Sequence, residues 1–269
     1  MTNQNNTAVK FPAFKMLFGH LDLLLKSNRQ AWLLCAAFAG IETLVLALGG
    51  NLFICSNQAY SEAHYCNTNF VVFVIIHLFN IFANCMFARN WVETALNKEK
   101  LKWKSALTPS KKDFKLLGLL GLYIMTLVLA LVCMYILYVR VPNPNWKIEI
   151  AFFALVSVGF IIPIIALRFS SYAAFAALGE KMISPKLLWQ KTAGNLMAIL
   201  GGTVIIMLIY LLVMSQIVQF SMEAGEIISF VQTVIVEYII NFFKMIIIAL
   251  IMNFCYMQYE ILFGGNNNE

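Results

Sequence analysis

The sequence predicts an all-α integral membrane protein: six transmembrane helices with short amphipathic interfacial helices on the cytoplasmic side. Three observations predict it. Of 269 residues, 61% are hydrophobic and only 12% charged, with a mean hydropathy of +0.78, whereas soluble domains carry about 25% charged residues. Six apolar stretches approach the ~20 residues that cross ~30 Å of hydrocarbon. The basic residues gather on alternate loops.

Taken in order, residues 1–30 read as a cytoplasmic N-terminal segment. Within it, 11–26 forms a short amphipathic helix whose apolar face holds Phe14, Phe18, Leu21 and Leu25. A single transmembrane domain covers 31–262, with spans at 31–54, 70–88, 116–139, 150–167, 195–218 and 227–254. Without water to satisfy the backbone, each span must be helical. The last is 28 residues long and so is tilted or runs past the interface. Pro163 should kink the fourth. The tail, 263–269, reads as disordered. The first span starts 30 residues in and is too long for a signal-peptide core, so it reads as an uncleaved anchor.

The loops set the orientation. Four basic residues precede span one, eight lie between spans two and three, and four between spans four and five, which places 16 of 19 on one side. The opposite loops hold only Arg140 and Lys147, beside Glu62, Glu149, Glu223 and Glu226. Both termini and the two long loops are therefore cytoplasmic. The net charge of +6 follows from this topology and from anionic lipid, and is no argument for nucleic acid.

Cys35, Cys85, Cys133 and Cys255 fall within spans, where a thiol acts as a small apolar packer. Cys55 and Cys66 share the first external loop, and a disulfide between them would tie spans one and two together in an oxidising compartment. No cysteine cluster has zinc or iron–sulfur spacing, three scattered histidines make no metal site, and no cofactor is implied. Trp91, Trp103 and Trp189 suit the headgroup level. Thr108-Pro109 and Ser184-Pro185 each place a hydroxyl cap before a proline, starting helices that lead toward spans three and five.

The two cytoplasmic hairpins also suggest an internal repeat. Trp91–Ala95 with Glu99-Lys100 resembles Tyr172–Ala176 with Glu180-Lys181 at an offset of 81, while the Thr-Pro and Ser-Pro starts align at 76. Such a repeat relates spans two–three to spans four–five by an axis along the membrane normal.

The second hairpin carries a further pattern: Arg168-Phe-Ser170, small residues to Ala-Leu-Gly179, then Trp189-Gln-Lys-Thr192-Ala-Gly194-Asn195. It resembles a pattern of bacterial six-span inner-membrane proteins, the YciC-like proteins and the membrane domains attached to some glycerophosphodiester phosphodiesterases. The motif covers about 35 residues, and Ala174 stands where the family often has proline. The resemblance implies the fold and a bacterial inner membrane. It implies little about activity, since no phosphodiesterase domain is fused here. Physically, Thr192, Gly194 and Asn195 serve as a break between an interfacial helix and span five.

Charged and polar side chains inside the spans are the functional lead, because each is costly in lipid unless it faces protein or water. Span one carries Glu42; span two carries His77, Asn80 and Asn84 along one face; span six carries Thr233, Glu237, Asn241 and Lys244 along another. Glu42, His77 and Lys244 each lie ten or eleven residues from the cytoplasmic edge, and Glu237 lies two turns farther out than Lys244. These depths predict a Glu42–Lys244 ion pair near His77 and Asn80. One role for such a pair is structural, holding three helices in register. The other is a ligand site or ion pathway.

Three function classes follow. The first is a non-enzymatic envelope protein that binds membrane lipid or another amphiphile, or supports a partner membrane protein. The second is a small secondary transporter using the Glu/His/Lys site. The third is a lipid-modifying membrane enzyme, for which the sequence supplies no catalytic residue set: no phosphate loop, no His-Glu-x-x-His and no Gly-x-Ser-x-Gly.

Overall fold

In a computed structural model of the chain, the described residues are 29–49, 70–96, 100–141, 144–157, 161–192, isolated positions between 201 and 216, and 230–263. Their regular elements are all helical, and no strand occurs among them. The elements are α1 (Arg29–Leu48), α2 (Phe70–Trp91) continuing into a π-helical turn (Val92–Leu96), α3 (Trp103–Ala106), α4 (Lys111–Arg140), α5 (Pro144–Val156), α6 (Ile162–Arg168), α7 (Ser171–Leu178), α8 (Pro185–Lys191) and α9 (Phe230–Phe263).

Four of the described helices are long and apolar enough to cross a membrane; they are α1, α2, α4 and α9. They carry expected spans one, two, three and six. Span four is described as α5 and α6, with π-helical positions at Ser157 and Ile161 between them. Pro163, lacking an amide hydrogen, cannot make the helical bond back to residue 159. Span five lies outside the described residues except for isolated helical positions. The N-terminal segment with its amphipathic helix, the Cys55–Cys66 pairing, Gly194, Asn195 and the tail beyond Phe263 also lie outside them.

The bundle is built on α1, α2 and α9. On α1 the buried residues are Ala31, Leu34, Cys35, Phe38, Ala39, Glu42, Thr43 and Leu46, the three-and-four spacing of a single helix face. That face packs on α9 more extensively than any other pair of elements. Its small residues let the backbones approach, and Gly40 sits against the ring of Tyr238. Phe38 meets Phe87 of α2 edge-on at 5.7 Å, while Leu46 and Ile76 share a cluster at the other end. By contrast α4 buries only Asp113 and Leu116; the rest of this 30-residue apolar helix faces outward at least in part. Cys133 on α4 is likewise exposed, whereas Cys35, Cys85 and Cys255 are buried packers.

Several boundaries differ from those the sequence suggested. The helix of span six does not end at 254 but runs to Phe263 over 34 residues. Its added turns bury Leu262 beside Leu188 and Phe254. Ser184 caps α8 and Pro185 opens it, as expected, with Ser184 Oγ accepting from Leu187 N–H. The Thr108-Pro109 start is not the cap of α4. Thr108 turns its hydroxyl back onto the Lys104 carbonyl, and Ser110 is the cap, its N–H donating to Asp113 Oδ2 at 2.7 Å. Trp103 and Trp189 are exposed, but Trp91 is a core residue, 1% exposed, whose indole N–H donates to Asn253 Oδ1 at 2.9 Å.

That bond gives a test. Trp91→Phe keeps the aromatic packing and strands the Asn253 carboxamide, so unfolding in detergent should show a loss of ~1–3 kcal/mol. Trp91→Phe combined with Asn253→Leu should recover much of it; a double variant as weak as the sum of both singles would deny the bond any role.

Candidate functional site

The predicted interior polar residues divide into those that meet and one that stands apart. Glu42 is fully buried, and Lys244 Nζ donates to its Oε2 at 2.7 Å. One residue along, Asn241 Nδ2 donates to Thr43 Oγ1 at 3.0 Å, and that hydroxyl donates to the Ala39 carbonyl. Thr233 and Glu237 continue the same buried stripe outward along α9. The α1–α9 seam is therefore laced by an ion pair and an amide–hydroxyl bond. Lys244 enters with its aliphatic stem against the seam and keeps about a third of its side chain (37%) exposed.

Asn80 and Asn84 belong to the same level. Glu42 lies one turn from Phe38 and one turn from Leu46, and these two pack at Phe87 and Ile76 of α2. The midpoint on α2 falls between Asn80 and Asn84. Three buried oxygens at this level, Glu42 Oε1, Asn80 Oδ1 and Asn84 Oδ1, lack a hydrogen-bond partner among the described residues. Buried oxygens of this kind carry a desolvation cost unless water or a small polar group meets them. His77 is not part of the cluster: it is exposed, its Nδ1–H donates to the Phe73 carbonyl at 2.8 Å, and its ring lies against that of Phe73. The backbone one turn back offered it a nearer partner than the interior did. No group of three or more histidine, cysteine or acidic side chains suited to a metal occurs among the described residues.

A second polar region lies at the basic end of the bundle, where α2 and α9 terminate and α4 begins. Arg89, read from sequence only as a loop cation, is 3% exposed. Its Nε faces Asp113 Oδ1 at 3.2 Å and its Nη2 donates to the carbonyls of Ser105, Ala106 and Thr108. Asn90 adds a bond to the Ala106 carbonyl. Arg168 repeats the device on the second hairpin: Nη2 donates to the Trp189 carbonyl, Nε to Thr192 Oγ1, and the guanidinium stacks 3.5 Å from the Trp189 ring. Each arginine, at the end of an outgoing helix, satisfies carbonyls closing the short helix before the next span. The two hairpins thus share a device, with α7 following Arg168 where the π-helical turn follows Arg89.

The motif residues Arg168, Ser170, Trp189 and Thr192 thus lie in a structural joint. Ser170 Oγ and Ser171 N–H both donate to Gln258 Oε1, at 2.7 and 2.9 Å. Gly179 closes α7 with φ 82°, and a side chain there would run into Lys112. Tyr172 O–H donates to the Ile183 carbonyl, and burial pushes its phenol above the ordinary range. Asp113, Asn253 and Gln258 were not singled out by sequence. For Gln258 the signal was present in Phe254, Met257 and Ile261, whose spacing extends span six past it.

No protein-family model, no curated protein and no solved structure matches the chain.

The seam predicts unequal effects of charge removal. Lys244→Met leaves the enclosed Glu42 carboxylate alone and should cost about 3–5 kcal/mol. Glu42→Gln together with Lys244→Met should cost much less, read as a coupling energy from a double-mutant cycle of unfolding in detergent. Additive losses would show that the contact carries no energy.

Proposed function

We propose that the protein is a non-enzymatic bacterial inner-membrane protein that binds lipid or another amphiphile. The observation that carries this reading is the meeting, at the first turns of α4, of a long outward apolar helix surface with a cluster of basic side chains. Phe114 and Leu107 are exposed beside Lys102, Lys104 and Lys111. Apolar area next to cationic groups suits an amphiphile with an anionic head. The interior charges favour the same reading, since Glu42 and Lys244 are engaged with each other across the seam.

In this reading the chain crosses the membrane six times with both termini in the cytoplasm. The basic end of the bundle lies at the cytoplasmic face, and interfacial helices link the spans there. The resemblance of the Arg168–Asn195 segment to YciC-like proteins and to phosphodiesterase membrane domains supports this topology and the bacterial inner membrane. Membrane lipids are the partners, with a second membrane protein as the alternative occupant of the outward face.

A transporter is the second reading, favoured by one observation: the unpartnered oxygens of Glu42, Asn80 and Asn84 gathered at one depth. Native mass spectrometry of the detergent-released full chain separates the two, run beside the Glu42→Gln/Lys244→Met variant. Lipid adducts of equal abundance in both support binding outside the seam. Loss of a defined adduct in a folded variant would transfer the site to the seam and favour transport. No adduct in either would contradict lipid binding and direct attention to protein partners.

A further inference from the structure

We propose that the pocket at the start of α4 is a binding site for a phosphate group, carried by an anionic lipid or free as the inorganic ion. The inference deepens the lipid-binding reading by giving the ligand a head group and a place, and its lipid source rests on that reading.

The pocket is open, about 390 Å³ in volume, and its lining includes Arg89, Lys102, Lys104, Thr108, Pro109 and Ser110. Three features of its wall point to an oxyanion. Arg89 is buried and held from behind. Asp113 forms an ion pair with it, Oδ1 lying 3.2 Å from Nε, and three carbonyls accept from Nη2, while Nη1 makes no hydrogen bond among the described residues. A guanidinium fixed this way presents its remaining donors without an ordering cost. Ser110 Oγ is buried and has no hydrogen-bond partner among the described residues. Lys102 and Lys104 are exposed, and neither makes an ion pair among the described residues. Asp113 neutralises Arg89, so the two lysines set the charge of the wall.

The helix behind it adds to this. At 30 residues, α4 brings the positive end of a long helix dipole to the pocket, with Ser110 as its cap. The Ser110 N–H is already given to Asp113 Oδ2, so side-chain groups and not this amide would meet the ligand. A tetrahedral phosphate, with several acceptor oxygens and one or two charges, matches the ammonium, guanidinium and hydroxyl donors set in this otherwise mostly apolar wall. The exposed Phe114 and Leu107 beside it offer an apolar path for an acyl chain. Exposed Trp103 sits between the two lysines in sequence, a residue type favoured at the headgroup level.

The test titrates the full-length protein in detergent with a fluorescent phosphatidic acid, read by polarisation, against the matching diacylglycerol. Lys102→Gln/Lys104→Gln removes charge from the wall. Lys181→Gln/Lys186→Gln removes equal charge from exposed positions on the other hairpin. The pocket variant should bind phosphatidic acid about tenfold more weakly or worse, with the distant variant within about twofold of the parent. Competition by inorganic phosphate, compared with chloride at equal ionic strength, would support the site with the free ion as ligand. No competition would support it with the lipid as ligand. Equal weakening in the two variants would overturn the site in favour of diffuse surface charge. Tight phosphatidic acid binding that neither variant weakens would overturn the site and leave lipid binding standing. No preference of the parent for phosphatidic acid over diacylglycerol, with neither lipid retained, would overturn both.

Discussion

A carboxylate enclosed on every side within an apolar helix dictates where the last helix of the bundle must lie. Glu42 has no exposed surface, and an unpaired charge in that setting is among the most destabilising features a fold can carry. Lys244 answers it from more than two hundred residues away at 2.7 Å. The pairing joins the first and last long helices of the described chain and fixes their register. Thr43–Asn241 sits within a turn of it. With α1 and α9 so joined, α2 finds its level through Phe38–Phe87 and Trp91–Asn253, and α7 and α4 close over the basic end. In lipid, where burying apolar surface gives helices little reason to associate, polar ties and close packing of small residues carry this burden.

The two ends of the bundle contrast in chemistry. In the interior, polar groups are few and mostly answered by one another, with the oxygens of Glu42, Asn80 and Asn84 left over. At the basic end, arginines are built into the frame: Arg89 and Arg168 each bond backbone carbonyls where the chain turns back into the bundle. Lys191 does the same for the end of α9, donating to the Leu262 carbonyl while lying over Phe263. A charge that caps a helix end and also faces an open surface can serve both stability and recognition. This is why the basic end, rather than the ion pair, is the place to seek a ligand.

Much of the frame was legible in the sequence because the physics behind it is local or periodic. Apolar length located α1, α2, α4 and α9, and three-and-four spacing put Thr233, Glu237, Asn241 and Lys244 on one face of α9. Equal depth then named Glu42 as the partner of Lys244. What the sequence hid depended on tertiary choices. Arg89 and Trp91 fit a generic interface so well that nothing marked them as buried; only their distant partners, Asp113 and Asn253, draw them inward. His77 had the right depth but a closer acceptor on its own helix. Thr108 looked like a cap, yet Ser110, whose N–H donates to Asp113 Oδ2 three residues on, is the actual start of α4.

In this bundle α1 and α9 lie face to face with Thr43 opposite Asn241. Cross-linking of Thr43→Cys/Asn241→Cys in native membranes, on a chain otherwise stripped of cysteine, tests it directly. Ile239, on the outward side of α9, supplies the control as Thr43→Cys/Ile239→Cys. Disulfide formation under mild oxidation should be rapid for the first pair and slight for the second. Equal yields for the two pairs, or none for Thr43→Cys/Asn241→Cys, would contradict the seam on which the rest of the bundle depends.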